Sequence, residues 1–109
     1  MAESEPGDGG REPRTDFDRL IHEPARLQIV ATLYVVKTAD FIFLMRQTGL
    51  SAGNLSSHLA KLESAGYVEI RKEFAGKVPR TLVSLTPAGR EAFRSYRQNL
   101  LQWLASLPD

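Results

Sequence analysis

The sequence contains no cysteine, so disulfides, thiolate-bound zinc, iron–sulfur ligation and thiol redox switching are all excluded. Histidine is nearly as scarce. The two present, His22 and His58, do not stand at a metal-ligand spacing from each other, and no Gly-rich phosphate loop or cysteine nucleophile accompanies them. No catalytic residue, resident metal or cofactor is therefore expected, and the chain does not read as an enzyme. Long hydrophobic runs are missing too: none approaches the roughly 20 apolar residues needed to cross a bilayer. The first ten residues are acidic and poor in apolar side chains, the opposite of a secretory signal. The expectation is a cytoplasmic protein with no membrane partner.

Within 109 residues, 42% hydrophobic and 25% charged, there is room for one domain with a modest core. The net charge is only +1, but it is unevenly placed. Residues 1–16 hold five acids (Glu3, Glu5, Asp8, Glu12, Asp16) against Arg11 and Arg14, a balance of −3, which leaves +4 on residues 17–109. The leader is Gly/Pro-rich and apolar-poor, and is expected to be disordered over 1–16, with a single folded domain over 17–109.

A helical pattern starts with Phe17, Leu20 and Ile21 and is interrupted before Pro24, which can itself open a new helix. The run over 25–36 sets Leu27, Ile29, Val30, Leu33, Tyr34 and Val36 almost all round that helix, more apolar faces than one core contact needs. Residues 37–40 read as a connection. Phe41, Ile42, Leu44 and Met45 make a short helix that stops at Thr48 and Gly49, and Ser51 caps the next, whose Leu55, Leu59 and Leu62 share one face and whose end is marked by Gly66. Two helices joined by so tight a turn form a helix-turn-helix candidate. The period then changes. Residues 67–74 alternate, a turn follows at 75–77, and a second strand runs over 78–85, with Pro79 tolerable only near the hairpin tip or at an edge. Thr86 and Pro87 signal a last, long helix, with Phe93, Tyr96, Leu100, Trp103, Leu104 and Leu107 near one stripe.

On the helix opened by Ser51, the side opposite the leucines carries Gly53, Asn54, Ser56, Ser57, Ala60 and Lys61. These are small or polar, so the helix can approach a major-groove floor, with Asn54, Ser56, Ser57 and Lys61 able to reach base edges or phosphates. An ordinary surface helix short on bulk is the plainer alternative. Ser51 could hold a phosphate with the free N–H groups of the first turn, or act purely as a cap. Arg71, Lys72, Lys77 and Arg80 cluster round the hairpin. Lys77 and Arg80 suit phosphates or a minor groove, unless Glu69 and Glu73 simply pair with these cations across the sheet. Arg46 can instead complement the dipole of its own helix. His58, on the flank of the leucine face, reads as a packed or capping side chain, and His22 as a surface residue.

Three ordered motifs carry a resemblance: residues 50–68 (LSAGNLSSHLAKLESAGYV), residues 79–81 (PRT) followed by 85–90 (LTPAGR), and residues 22–26 (HEPAR). Together they make the chain resemble the winged-helix transcriptional regulators of the MarR and ArsR kind, in particular the short MarR-like variant, over roughly residues 17–107. The resemblance implies an α+β, mainly α, winged helix-turn-helix with a two-stranded wing and a long C-terminal dimerisation helix over 87–107. It implies a homodimer joined through the terminal helices, with Leu20, Ile21, Tyr96, Leu100, Trp103, Leu104 and Leu107 as contacts. It also implies a transcriptional regulator on a palindromic double-stranded DNA operator, with Ser51, Asn54, Ser56, Ser57, Lys61, Lys77 and Arg80 touching the duplex; a repressor is the expectation, although no residue separates repression from activation. A small-molecule effector is a further expected partner, though no residue pattern identifies it, and cysteine- or thiolate-based sensing known among similar folds has no residues here. The competing class is a winged-helix module that holds another protein by the same hairpin and helix. Salt separates the two, since phosphate contacts weaken steeply with ionic strength and an apolar interface does not.

Overall fold

The computed structural model describes residues 16–109, so the leader expected over 1–16 lies, Asp16 apart, outside the described residues. Seven elements follow: α1 (Pro24–Val36), β1 (Thr38–Asp40), α2 (Phe41–Thr48), α3 (Ala52–Ser64), β2 (Val68–Ala75), β3 (Val78–Leu85) and α4 (Pro87–Ala105). The architecture is a winged helix, mainly helical, with an antiparallel sheet in the order β1-β3-β2.

Each helix begins where a side chain satisfies its free N–H groups. Glu23 accepts from Arg26 N at 2.8 Å ahead of Pro24 at the start of α1. That backbone hydrogen bond holds the Glu23 carboxyl below its ordinary range, with the nearby His58 and Arg26 acting in the same direction against the cost of burial. Asp40 caps α2 through Phe43 N at 2.7 Å, Ser51 caps α3 through Asn54 N at 3.1 Å, and Thr86 caps α4 through Gly89 N at 2.9 Å. Helix α2 ends as expected on Gly49 in the left-handed conformation, φ 72°, which costs glycine nothing. Helix α1 ends less comfortably: Lys37 carries φ 74° and ψ −52°, a conformation that L side chains avoid.

Two expectations are corrected. The apolar residues ahead of Pro24 form a turn rather than a helix. Asp18 Oδ1 accepts from Leu20 N at 2.9 Å and Ile21 N at 3.2 Å, while His22 N bonds back to Asp18 O at 2.8 Å. So short a segment ahead of a proline has no room to propagate a helix. The connection over 37–40 contains a strand, β1, which pairs with β3 in the register Thr38↔Ser84, Ala39↔Val83 and Asp40↔Leu82.

One core joins all elements. Ile29, Val30 and Leu33 of α1, Leu44 of α2, Leu55, Leu59 and Leu62 of α3, Val68 and Val83 of the hairpin and Phe93 and Tyr96 of α4 are buried together with Ile21. Among the described residues no polar or charged side chain is buried, so the fold rests on apolar burial rather than on internal polar networks. The base of α4 is pinned to the start of β2. Tyr67 O accepts from Thr86 N at 3.0 Å, and Gly66 O from the Thr86 hydroxyl at 2.5 Å. Gly89 lies against the Tyr67 backbone so closely that a Cβ would fall 2.8 Å from its carbonyl carbon. Further on, α4 outruns the core: its Leu101 and Leu104 are about half exposed, as is Leu107, which lies just past the helix end at Ala105 rather than within a helix reaching 107.

Candidate nucleic-acid interface

The leucine face of α3 is sealed: Leu55 and Leu62 are fully buried and Leu59 nearly so. With about 100° per residue, the line directly opposite consists of Gly53, Ser57, Ala60 and Ser64, all exposed. No side chain on this outermost line is longer than a serine, so the backbone itself can come close to a partner surface. Ser56 and Glu63 flank the line on one side, Asn54 and Lys61 on the other. The Ser51 hydroxyl is engaged as the N-cap, and the side chain remains exposed.

The hairpin stands beside this helix. Ile70 is the last partly buried residue of β2, and residues 71–80 are all exposed. Their ladder is complete out to the pair Ala75↔Val78. Gly76, φ 68°, takes the first of the two loop positions, where a type II′ turn requires a positive φ. Between the inner hairpin face and α3 runs an open cleft of about 780 Å³, with Ser56, Ala60 and Glu63 on one wall, Ile70, Lys72, Pro79, Arg80 and Thr81 on the other, and Asp40 and Phe41 at its end. The structure thus brings Ser56 and Arg80, far apart in sequence, to the same cleft. Lys61 and Asn54 lie on the opposite flank, where Lys61 shares a shallow hollow with Leu20, Ser64 and Ala65. Lys77 stands at the hairpin tip.

Electrostatically the hairpin is not a simple array of solvated cations. Arg71 Nε lies 3.8 Å from Glu73 Oε1 along the same strand. Arg80 faces Asp40 at 3.4 Å, although its cross-strand neighbour is Glu73. Asp40 therefore serves two elements: one oxygen caps α2 and the other holds the arginine of β3. Sequence reasoning missed this residue. Both pairs are well exposed and are worth under about 1 kcal/mol each, so they orient the arginines without removing them from competition by phosphate.

A second cluster fixes the back of α3. Arg26 Nη1 lies 3.1 Å from His58 Nδ1, its Nε donates to Leu20 O at 2.6 Å, and Glu23 Oε1 is 3.9 Å from the same His58 nitrogen. His58 thus ties α3 to the start of α1, the packed reading. His22, expected at the surface, is exposed but engaged, 2.7 Å from the Tyr96 hydroxyl and 5.1 Å, centroid to centroid, from the Phe17 ring. The Tyr96 phenol is raised by its burial. Tyr67 donates to Asp18 Oδ2 at 2.5 Å, and that hydrogen bond, reinforced by burial and by the carboxylate charge, pushes its phenol up to about 12.

Of the residues expected to join two subunits, Ile21 and Tyr96 are 0% and 3% exposed and belong to the core of the single chain. Leu20, Leu100 and Trp103 are partly buried, and Leu104 and Leu107 are exposed. Among the described residues no group of three or more His, Asp or Glu side chains could hold a metal ion, and no helix is long and apolar enough to cross a membrane.

A helix-turn-helix whose second helix presents a bare outer line beside a basic hairpin defines a winged-helix protein. The chain belongs to the winged helix DNA-binding domain family, whose model matches residues 25–104. It is 34% identical over 84 residues to an uncharacterized protein of Methanocaldococcus jannaschii, covering 77% of this chain and 91% of that one. Among solved structures it is similar to a transcriptional regulator homologue from Pyrococcus horikoshii, with TM-score 0.80 and 30% identity over 84% of this chain and 91% of that one. A regulator of the MarR family from Enterococcus faecalis is similar at TM-score 0.68 and 25% identity, over 81% and 78% of the two chains. The protein is a MarR-like winged-helix, DNA-binding regulator.

Proposed function

We propose that the chain acts in the cytoplasm as a homodimeric transcriptional repressor on a palindromic operator, laying α3 in the major groove of each half-site. The observation that carries this reading is the outer line Gly53, Ser57, Ala60 and Ser64, exposed along its whole length, with polar groups to either side. Ser56 and Ser57 meet base edges, Asn54 and Lys61 a base edge or the flanking phosphates. Ser51 opens a helix N-terminus whose free N–H groups donate to a phosphate, and Lys77 and Arg80 follow the backbone from the wing.

Dimerisation runs through the end of α4. Leu101, Leu104 and Leu107 expose about half their surface, and covering them, together with Leu100, Trp103 and Leu20, contributes on the order of 1 kcal/mol per side chain. Two-fold pairing there places the two α3 helices about 34 Å apart, one turn of duplex. The cleft between α3 and the wing is large enough for a small-molecule effector, which would compete there with DNA.

The test is binding of a duplex selected from a random pool by the native chain, measured over a range of salt. Lys61→Ala is expected to lower affinity for that duplex above others, and Arg80→Ala to weaken all duplexes alike and to reduce the log–log salt slope by about one. Salt-insensitive binding, or variants indistinguishable from the native chain, would refute this assignment and favour a protein-binding module.

A further inference from the structure

The wing ends in apolar side chains that the described residues leave largely uncovered. Phe74 is 70% exposed and Val78 63%, more than any leucine of the α4 surface. Their place follows from strand alternation. One face of the hairpin starts as core wall, at Val68 and Val83, passes through Ile70, and continues outward to Lys72 and Phe74, with Thr81 and Pro79 as their cross-strand partners. The opposite face ends in Ala75 paired with Val78. The tip is therefore apolar on both faces, with Gly76 and Lys77 at its apex. An apolar tip would suit a protein pocket equally well were it not for its surroundings. Lys72 and Lys77 stand beside it, Arg71 and Arg80 behind it, and Glu73, the acid within the tip, is near Arg71 at 3.8 Å. An apolar wedge set among cations complements a groove walled by phosphates.

The dimensions agree. From Ile70 to Ala75 the hairpin advances five residues, about 16 Å, and the minor groove beside an occupied major groove lies half a turn away, about 17 Å. A two-stranded ribbon, with axes roughly 4.8 Å apart and its own atoms beyond them, is wider than a minor groove of roughly 6 Å, so it is the side chains of the tip that enter and not the ribbon. We propose that the wing tip is a minor-groove wedge. Phe74 lies against the sugars and partly unstacks one base step on each flank of the operator, while Lys77 meets the adjoining phosphates. The wedge reads how easily the duplex deforms, not its hydrogen-bond pattern, and favours a flexible pyrimidine–purine step at that distance from the centre of each half-site. The inference rests on the DNA-binding reading above and adds a determinant of specificity to it.

The experiment uses the full chain and a duplex selected from a random pool by the native protein, with 2-aminopurine placed in turn at each flanking step. The native protein is expected to raise the fluorescence at one step per flank. Phe74→Ala is expected to abolish that rise and lower affinity roughly ten-fold or more, the worth of one aromatic–base contact, while the salt slope stays unchanged. Phe74→Leu, which keeps an apolar wedge, should retain part of both signals, and circular dichroism should show native helix content in all variants. A Phe74→Ala protein that matches the native one in affinity, or that loses affinity with the fluorescence rise intact, overturns the wedge and leaves DNA binding standing. A native protein that retains no duplex defeats the DNA-binding reading itself, and the wedge with it.

Discussion

Replacing Gly89 by alanine should be among the most damaging single changes in this chain, although it adds only a methyl group. The new Cβ would stand 2.8 Å from the carbonyl carbon of Tyr67 and 2.9 Å from its Cα. Tyr67 cannot easily yield, because its N–H donates to Leu62 O at 2.9 Å and its carbonyl accepts from Thr86 N at 3.0 Å. Helix α4 must therefore lift. Lifting costs about 1 kcal/mol for the Thr86–Tyr67 bond and about 1 kcal/mol for the Thr86 cap, whose geometry depends on the same backbone. Loosened contacts of Phe93 and Tyr96 add on the order of 1–2 kcal/mol, and the better helix propensity of alanine returns about 1 kcal/mol. The expected net loss is about 2–3 kcal/mol, a drop in Tm of the order of 10 °C or more for a domain of this size. Urea denaturation followed by circular dichroism measures it. Gly53→Ala provides the matched comparison: Gly53 lies in α3 with no atom within 4 Å of its added Cβ, so the same substitution should stabilise by about 0.5–1 kcal/mol. If Gly89→Ala is as stable as the native chain, the argument that α4 is seated by backbone contact with Tyr67 is wrong.

Three further outcomes can be checked. The fold raises the Tyr67 phenol to about 12, so the protonated form is favoured on folding. Its contribution is whole below the unfolded value near 10 and is lost as pH rises through 12. Tyr67→Phe should flatten the fall in stability over that window by roughly 1 kcal/mol, allowing for solvent screening, and an unchanged alkaline profile would count against the Asp18 hydrogen bond. Lys37→Gly should raise the midpoint of thermal unfolding, since it relieves a left-handed φ of 74° worth about 1 kcal/mol, and a lower midpoint would contradict the strain. Leu104→Asp should give a folded monomer in sedimentation equilibrium and weaken operator binding at low protein concentration, whereas a persisting dimer would move the interface elsewhere.

What was legible in the sequence was whatever a local signal specifies. Gly49 and Ser51 bracket the turn between α2 and α3, the alternation after Tyr67 announces the hairpin, and Thr86 with Pro87 opens α4, all within a residue or two. The parts that were not legible depend on partners far along the chain. Strand β1 has three residues, too few to show a period, and exists because residues 82–84 offer it a free edge. Asp40 reads as a linker acid until the sheet delivers Arg80 to it. The helical spacing of Phe17, Leu20 and Ile21 was real as apolar spacing, and the core used it, burying Ile21 fully, but a turn capped by Asp18 satisfies the same residues without a helix. In α1 the apolar excess divides: Ile29, Val30 and Leu33 enter the core, while Val35 remains 77% exposed, a division that sequence period alone does not assign. Of the proposed reading residues, those on α3 could be placed from helical phase. The meeting of Ser56 with Arg80 across one cleft required the hairpin to fold back on the helix.

The bareness of α3 bears on how such a protein can change its target. Gly53, Ser57, Ala60 and Ser64 face away from the core, and α3 is held by its leucines on the far side and by His58 on its flank. Longer side chains installed at Ser57, Ala60 and Ser64 would leave thermal stability nearly untouched while altering which duplexes are preferred. Redirecting the protein to a new operator is then a matter of decorating a finished scaffold, with no repacking of its interior.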